Sequence, residues 1–98
     1  MYLIREVFQA KPGKAKDLVK IFKAAAPHFE KMQGIAGMKV MTDVVGEYWT
    51  VVVETETSDI GSFFTNLRTA TMNDELKEIM KGYMECMAGG RREVYLVE

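Results

Sequence analysis

Hydrophobic residues along the chain follow two periodic patterns, which predict strands and helices in turn. Residues 2–9 are rich in aromatic and β-branched types and predict a first strand that ends at a turn containing Pro12. Residues 13–33 predict a helix, because apolar residues recur there at spacings of three and four. Pro27 lies inside this apolar stripe and predicts a kink, or a restart of the helix near Ala26.

A hairpin is predicted in the middle of the chain. Gly34 and Gly37 break the first helical pattern, and residues 38–45 then predict a second strand. Gly46 indicates a tight turn, and residues 48–57 carry the strongest strand pattern of the chain. Because the link between the two strands is short, we expect them to pair antiparallel.

A second helical region and a last strand complete the chain. Ser58 is a favourable N-cap for a helix that is interrupted around residues 71–73, after which Asp74 can cap a second segment. The apolar residues of that segment again recur at helical spacing. The glycine pair at 89–90 predicts the end of this helix, and residues 91–97 predict the closing strand.

The element order is therefore β-α-β-β-α-β, which predicts an α+β fold of the ferredoxin-like type. We expect residues 1–98 to form one domain, a four-stranded antiparallel sheet with two helical regions on one face. The strands are apolar on both sides; in the third, Val51 lies on one side and Tyr48 and Val52 on the other. Because the helices cover only one face, the other would be an exposed apolar patch. We therefore expect a homodimer that forms through the open sheet face.

Composition and charge exclude several classes of function. Hydrophobic content is 48%, charged content is 28% and the formal net charge is −1, so we expect a globular protein that does not bind nucleic acid. We expect no membrane span, because no apolar run is long enough, and no signal peptide, because acid and base both occur near the start. A single cysteine, Cys86, fits a reducing compartment and a cytoplasmic protein.

Basic residues are concentrated in the first part of the chain. Residues 1–40 contain eight Lys or Arg and three Asp or Glu. Residues 41–98 contain five Lys or Arg and eleven Asp or Glu. We interpret the lysines as the solvated face of the first helix. The alternative is a basic surface that binds an anionic ligand or the acidic half of a partner subunit.

Three local motifs carry a resemblance to a known superfamily. They are Phe-Gln-Ala-Lys-Pro-Gly-Lys at 8–14, Gly-Glu-Tyr-Trp-Thr at 46–50 and Gly-Gly-Arg-Arg-Glu-Val-Tyr at 89–95. With the element order, they make the chain similar to the dimeric α+β barrel superfamily, and most of all to its uncharacterised NIPSNAP-like and antibiotic-biosynthesis-monooxygenase-like members. The resemblance implies a dimer with a pocket between the sheet and the helices of each subunit. It implies no single activity, because this fold hosts many.

Haem, other cofactors and metals are not expected. The haem-degrading members of the superfamily resemble one another in a histidine ligand on the second helix, and residues 58–88 contain no histidine. The one histidine of the chain, His28, lies in the first helical segment. One histidine and one cysteine also provide no metal-ligand spacing.

Five residues are candidates for binding a ligand. His28 could act in proton transfer, or could favour the C-terminal end of the first helix by its charge. Trp49 fits core or dimer packing, with a pocket wall as the alternative. Tyr83 is predicted to lie on the apolar face of the last helical segment, which favours core packing, although its hydroxyl needs a partner if it is buried. Asn66 resembles only loosely an asparagine of the cofactor-independent monooxygenases, and we expect it to face solvent. Arg5 lies in mid-strand, where a covered charge needs a partner.

Two neighbouring expectations follow from the same strands and helices. Glu54 is the expected cross-strand partner of Arg5, with anion binding by Arg5 as the alternative. Cys86 has no base near it in the sequence, and we expect an inert buried thiol.

The sequence leaves open whether the protein is an enzyme. It contains no phosphate-binding loop, no nucleophile elbow and no visible nucleophile–base pair. The first hypothesis is a homodimer that binds a small apolar or aromatic molecule between sheet and helices. The second is a cofactor-independent monooxygenase or isomerase, with His28 as candidate proton donor. The third is an effector-binding module resembling the ACT type, although such modules are usually joined to another domain.

Overall fold

A four-stranded antiparallel sheet backed by helices is the framework of the fold. The structure, a computed structural model, describes residues 1–32, 35–70 and 73–98, without the side chain of residue 70. Its elements in chain order are β1 (Tyr2–Ala10), α1 (Ala15–Glu30), β2 (Ala36–Thr42), β3 (Thr50–Thr57), α2 (Ile60–Ala70), α3 (Asp74–Met80), a 3₁₀ turn (Tyr83–Cys86) and β4 (Met87–Leu96). The strand order is β2-β3-β1-β4, which confirms the predicted α+β, ferredoxin-like fold.

The main core lies between one face of the sheet and α1. Ile4 from β1, Val51 from β3 and Leu18 from α1 are fully buried. Phe22 and Ala25 continue the buried stripe of α1 at helical spacing. A buried side chain of this size contributes about 2 kcal/mol by leaving water, so this stripe fixes α1 against the sheet. In the described part of the chain, no helix is long and apolar enough to cross a membrane.

Helix α1 is shorter than predicted and is not divided. It spans Ala15–Glu30 rather than residues 13–33, and it continues through Pro27. A proline removes one backbone hydrogen bond to the preceding turn. Because Pro27 lies in the last turn of the helix, little of the helix follows it, and the apolar contacts of the stripe hold that turn in place. Gly34, the other predicted break, lies outside the described residues.

The end of the second helical region differs from the prediction. Helix α3 ends at Met80, and Gly82, at φ 86°, reverses the chain in the left-handed region that favours glycine. The glycine pair at 89–90 does not end a helix, because both residues lie inside β4. They pair with Gln9 and Phe8 of β1.

The hairpin loop is wider than the predicted tight turn. Strand β2 ends at Thr42 and β3 begins at Thr50, so Tyr48 and Trp49 lie in the connection rather than in the strand. Asp43 closes the loop, since its carboxylate accepts a hydrogen bond from the Thr50 backbone N–H at 3.0 Å. Trp49 adopts a positive φ of 64°, which is uncommon for a bulky residue.

The caps of the second helical region are each shifted by one residue from the prediction. Asp59, not Ser58, caps α2, since its carboxylate accepts from the Ser62 backbone N–H at 3.1 Å. Asn73, not Asp74, caps α3, since its side chain accepts from the Leu76 backbone N–H at 3.1 Å. The predicted interruption at residues 71–73 lies outside the described residues except for Asn73.

Charged residues form a row across the sheet face that the helices leave open. Strand register places Glu54 of β3 opposite Arg5 of β1, and Arg5 opposite Glu93 of β4. Lys39 of β2 lies opposite Glu54, so the row crosses all four strands. The Arg5 guanidinium nitrogen lies 3.2 Å from the Glu54 carboxylate, which confirms the predicted cross-strand pair. We call Lys39, Glu54, Arg5 and Glu93 the charged row.

Candidate functional site

A cavity of about 440 Å³ lies between the sheet and the helices. Its walls are mainly aromatic and aliphatic side chains that β1, β3 and the three helices direct toward one another. The lining residues are Ile4, Glu6, Phe8, Phe22, Phe29, Ile35, Met38, Val53, Thr55, Phe63, Leu67, Leu76, Lys77, Met80, Tyr83 and Arg92. Cavities of a few hundred Å³ with apolar walls and few polar groups are the usual form of a small-molecule site.

Aromatic rings form one end of the cavity. Alternation along β1 directs Phe8 inward, where its ring centroid lies 4.7 Å from that of Phe22 on α1. The Tyr83 ring follows at 6.3 Å from Phe22, carried by the 3₁₀ turn after α3. Tilted rings at these separations attract one another beyond their simple burial. The three rings therefore form a preorganised wall against which a flat ligand can pack.

An ion pair lies on the sheet side of the cavity. Glu6 shares the inward face of β1 with Ile4 and Phe8, and register places Arg92 of β4 opposite it. The Arg92 Nε donates a hydrogen bond to the Glu6 carboxylate. The Arg92 guanidinium carbon also lies 5.6 Å from the ring centroid of Phe64 on α2, within range of a cation–π contact. The pair supplies a carboxylate and a partly exposed guanidinium on the sheet side of an otherwise mainly apolar lining.

Two further polar side chains differ in how available they are. The Thr55 hydroxyl lies in the lining but already donates to the Ala36 carbonyl oxygen at 2.8 Å. Lys77 of α3 is exposed and also lines the cavity, so the cavity reaches the surface beside α3. A ligand would enter past a lysine and meet apolar walls, with the Glu6–Arg92 pair as the fixed charged feature.

Five residues were proposed from the sequence as candidates for ligand binding. Among the described residues that line the cavity, Tyr83 is the one that belongs to this set. It lies in the 3₁₀ turn rather than on a helix face as predicted. His28 lies outside the lining, and its Nε2 is 3.8 Å from the Glu75 carboxylate, which links α1 to α3. Trp49 lies in the hairpin loop with 43% of its surface exposed.

The remaining two candidates also lie outside the cavity lining. Asn66 is half-buried on α2. Arg5 lies on the open face of the sheet, in the charged row. The structure therefore does not bring the five candidates together at one place. Cys86 is buried and belongs to the main core cluster.

Glu6 and Arg92 are the functional candidates that the sequence reasoning missed. The sequence of β1 already indicated the position of Glu6. Glu6 lies two residues from both Ile4 and Phe8, so alternation along the strand places all three side chains on the same, inward face. An acidic residue between inward apolar neighbours is informative, because a charge on the covered side of a sheet needs a partner. Arg92 could not be assigned to it without the register of β4, which was predicted to begin four residues too late.

Two neighbouring groups on the open face, away from the cavity, have shifted pKa values. The Arg91 side chain donates to the Glu93 carboxylate at 2.7 Å, and this hydrogen bond lowers the pKa of Glu93. The same hydrogen bond raises the pKa of Arg91. Within residues 1–32, 35–70 and 73–98 no group of three or more His, Cys, Asp or Glu side chains is placed to hold a metal ion.

Comparison with known proteins identifies the fold. No family model and no curated protein matches the sequence. A NIPSNAP domain protein from Burkholderia xenovorans matches the structure with a TM-score of 0.81 at 11% identity, over 100% of this chain and 95% of its own. A provisionally named antibiotic biosynthesis monooxygenase from Chloroflexus aurantiacus matches with 0.75 at 14% identity, over 99% and 92%. A conserved protein from Methanosarcina mazei matches with 0.75 at 21% identity, over 96% and 89%.

These similarities concern the fold alone, since all three identities are low. The likeness to NIPSNAP-domain and antibiotic-biosynthesis-monooxygenase-like structures, which the sequence motifs indicated, is confirmed at that level.

Proposed function

We propose that the protein is a homodimer that binds a small apolar or aromatic molecule in the cavity between its sheet and helices. The observation that carries this proposal is the cavity of about 440 Å³ with its aromatic end formed by Phe8, Phe22 and Tyr83. A ligand there would exchange water for apolar contact on several sides, which is the main favourable term in binding of this kind. The Glu6–Arg92 pair would orient a polar substituent on that ligand.

Two features support the dimer. Strand β4 lies at the edge of the sheet, and the apolar residues from Val94 to Val97, at and just beyond its end, are each at least 39% exposed. The open face also carries the half-buried side chains of Leu3 and Val52 beside the charged row, and the buried Val7 opposite Val52. Exposed apolar surface on an edge strand and an uncovered sheet face is typical of an interface. Sedimentation at micromolar concentration tests this, because a single species of 11.1 kDa would refute the dimer.

Binding in the cavity is tested with the neutral fluorophore N-phenylnaphthylamine and a matched pair of variants. Met80 lines the cavity, whereas Ile79 is its neighbour on α3, is equally half-buried and lies outside the described lining. We expect Met80→Trp to fill part of the cavity and weaken probe binding at least about tenfold, since the larger side chain occupies space that the probe needs. Ile79→Trp is the control and should bind the probe as the unaltered protein does.

Two results would count against the binding proposal. One is that the unaltered protein does not bind the probe. The other is that both tryptophan variants lose binding equally, which would indicate damage to α3 rather than occupation of the cavity. Circular dichroism on both variants checks that each remains folded.

A reaction in the cavity is the second candidate, and Glu6 is the observation that favours it. Glu6 places a carboxylate in the cavity lining, held by Arg92, where it can accept a proton from a bound molecule, as a cofactor-independent monooxygenase or isomerase requires. His28, the proton donor considered from the sequence, lies outside the described lining, so we assign the proton-accepting role to Glu6. The test is oxygen uptake with a hydroquinone probe, which Glu6→Gln should abolish while N-phenylnaphthylamine binding persists. Equal uptake by both proteins would refute the role of Glu6.

A further inference from the structure

The charges of the cavity lining do not balance. The described lining contains one acidic residue, Glu6, and two basic residues, Lys77 and Arg92. The Glu6 carboxylate accepts a hydrogen bond from the Arg92 Nε, so these two charges compensate each other. Among the residues that the structure describes, no carboxylate forms an ion pair with the Lys77 ammonium group. The lining therefore carries one positive charge that its own described side chains do not neutralise.

Lys77 lies on α3 where the cavity reaches the surface, a place that we call the mouth. It precedes Met80 by three residues, so the two side chains are neighbours on the helix face that lines the cavity. Met80 is half-buried, whereas Lys77 is exposed. A lysine at such a border packs its aliphatic stem along apolar walls and keeps its ammonium group in water. Lys77 thus places a cation at the mouth rather than in the interior.

The acidic residues of α3 leave Lys77 available for a ligand. Asp74 precedes it by three residues, a spacing at which ion pairs can form on a helix, but the two are not paired in the structure. The Glu75 carboxylate lies 3.8 Å from Nε2 of His28 on α1. Glu78 follows Lys77 directly, and adjacent residues on a helix do not face each other.

We infer that the ligand of the cavity is an amphipathic monocarboxylate, a flat apolar body with one carboxylate group, and that Lys77 binds this carboxylate at the mouth. The inference rests on the binding function proposed above. The apolar body packs against the rings of Phe8, Phe22 and Tyr83. A carboxylate carried deeper would lose its hydration among apolar walls, a cost that an ion pair rarely repays. The ligand is therefore held with its charged end outward.

The same charges discriminate against other ligands of similar shape. A ligand ammonium group would meet the like charge of Lys77 at the mouth, and Arg92 already pairs with Glu6 inside. Unfavourable contacts of this kind are a common source of specificity. A neutral molecule fits the cavity but gains nothing from the charge of Lys77. Lys77 therefore raises the affinity for a carboxylate, leaves that for a neutral molecule unchanged and lowers that for an amine.

The experiment is displacement of N-phenylnaphthylamine by 1-naphthylacetate and by its neutral amide, 1-naphthylacetamide. The two competitors have the same rings and nearly the same size, and they differ in charge. We expect Lys77→Met to weaken naphthylacetate binding about fivefold, the upper range for an ion pair open to water, and to leave the amide and the probe unchanged. Lys77→Arg keeps the charge and should retain most of the affinity for naphthylacetate. Lys81→Met is the matched control, because it removes the same charge at an exposed position at the end of α3, outside the described lining.

The results separate this inference from the binding function. If the probe does not bind the unaltered protein, the binding function is refuted and this inference with it. If the probe binds but naphthylacetate does not displace it, or if Lys77→Met affects neither competitor, the inference alone is refuted. Equal weakening of acid and amide in Lys77→Met would show that the substitution reshapes the mouth, which also refutes it.

The control variant and the folding of each protein complete the test. If Lys81→Met weakens naphthylacetate as much as Lys77→Met does, the effect comes from the general charge of α3, and the inference is refuted. Because Lys77 and Lys81 are exposed, we expect all three variants to fold, which circular dichroism checks.

Discussion

Replacement of Gly90 by alanine tests how β4 is held against β1. Gly90 lies opposite Phe8 in the strand pair. A Cβ atom at this position would lie 2.7 Å from the Val7 carbonyl oxygen and 3.6 Å from Cδ1 of Phe8. Gly89, the preceding residue of the same strand, has no atom within 4 Å of such a Cβ. Neither glycine has the positive φ that would strain an alanine, so the two positions differ in the contact alone.

The contact sets the size of the expected effect. A separation of 2.7 Å is about 0.7 Å short of the 3.4 Å at which ordinary contact begins. The obstacle is backbone, which cannot rotate away, so β4 must move off β1 and lengthen the hydrogen bonds beside Arg92. Forced overpacking of this kind costs about 1–3 kcal/mol. Against it, replacing glycine gains about 0.4–1 kcal/mol by restricting the unfolded chain.

Urea unfolding of the two variants separates these effects. We expect Gly89→Ala to match or slightly exceed the stability of the unaltered protein, and Gly90→Ala to be less stable by about 1–2 kcal/mol. That loss corresponds to a drop of roughly 5–15 °C in the melting temperature. Equal stability of the two variants would show that β4 does not approach β1 as closely as the structure has it. Probe binding to the cavity should weaken in Gly90→Ala as well, because the same strand carries Arg92.

Two further predictions concern the helix caps. Asn73→Ala removes the acceptor for the Leu76 backbone N–H and should cost about 1 kcal/mol in urea unfolding, whereas no loss would contradict the cap. The hydrogen bonds from Ser62 lower the pKa of Asp59 in the folded protein from its ordinary 3.8. The Asp59 carboxylate therefore contributes its full stabilisation above pH 3.8, and this stabilisation is lost as the pH falls through the lower pKa of the folded protein. Asp59→Asn keeps a cap but cannot titrate, so its melting temperature should converge on that of the unaltered protein in acid; a constant difference at all pH values would contradict this.

The element order and the Arg5–Glu54 pair could be predicted from the sequence for a simple reason. Both depend on local alternation and on the parity of positions along strands, which the residues state directly. Parity places Arg5 and Glu54 on one face, and the fold then makes β1 and β3 neighbours. The packing of α1 was likewise visible in its apolar stripe.

The end of the second helical region could not be predicted in the same way. Glycines at 89–90 resemble a helix stop, but their role depends on how closely β4 approaches β1, which is a property of the assembled sheet. The true stop was Gly82, whose left-handed conformation ends α3. Tyr83 followed the helical spacing by coincidence and reaches the cavity from a 3₁₀ turn instead.

The cavity itself was the least predictable feature. Its walls come from all four strands, the three α-helices and the 3₁₀ turn, so no local pattern marks it. Glu6 was visible as a charge at an inward position, but its partner Arg92 lies 86 residues away in the chain. Such long-range pairs become apparent only when the strand register is known.

Trp49 gives the molecule a built-in spectroscopic probe. It is the one tryptophan of the chain, and its backbone carbonyl accepts a hydrogen bond from the Ala10 N–H at 2.8 Å, where the hairpin loop meets the end of β1. Its fluorescence will therefore respond to the separation of the hairpin from β1, while circular dichroism in the far ultraviolet follows the helices. Coincident thermal curves from the two signals mean that sheet and helices unfold as one unit. An earlier transition in the tryptophan signal would identify the β2–β3 hairpin as the part that opens first.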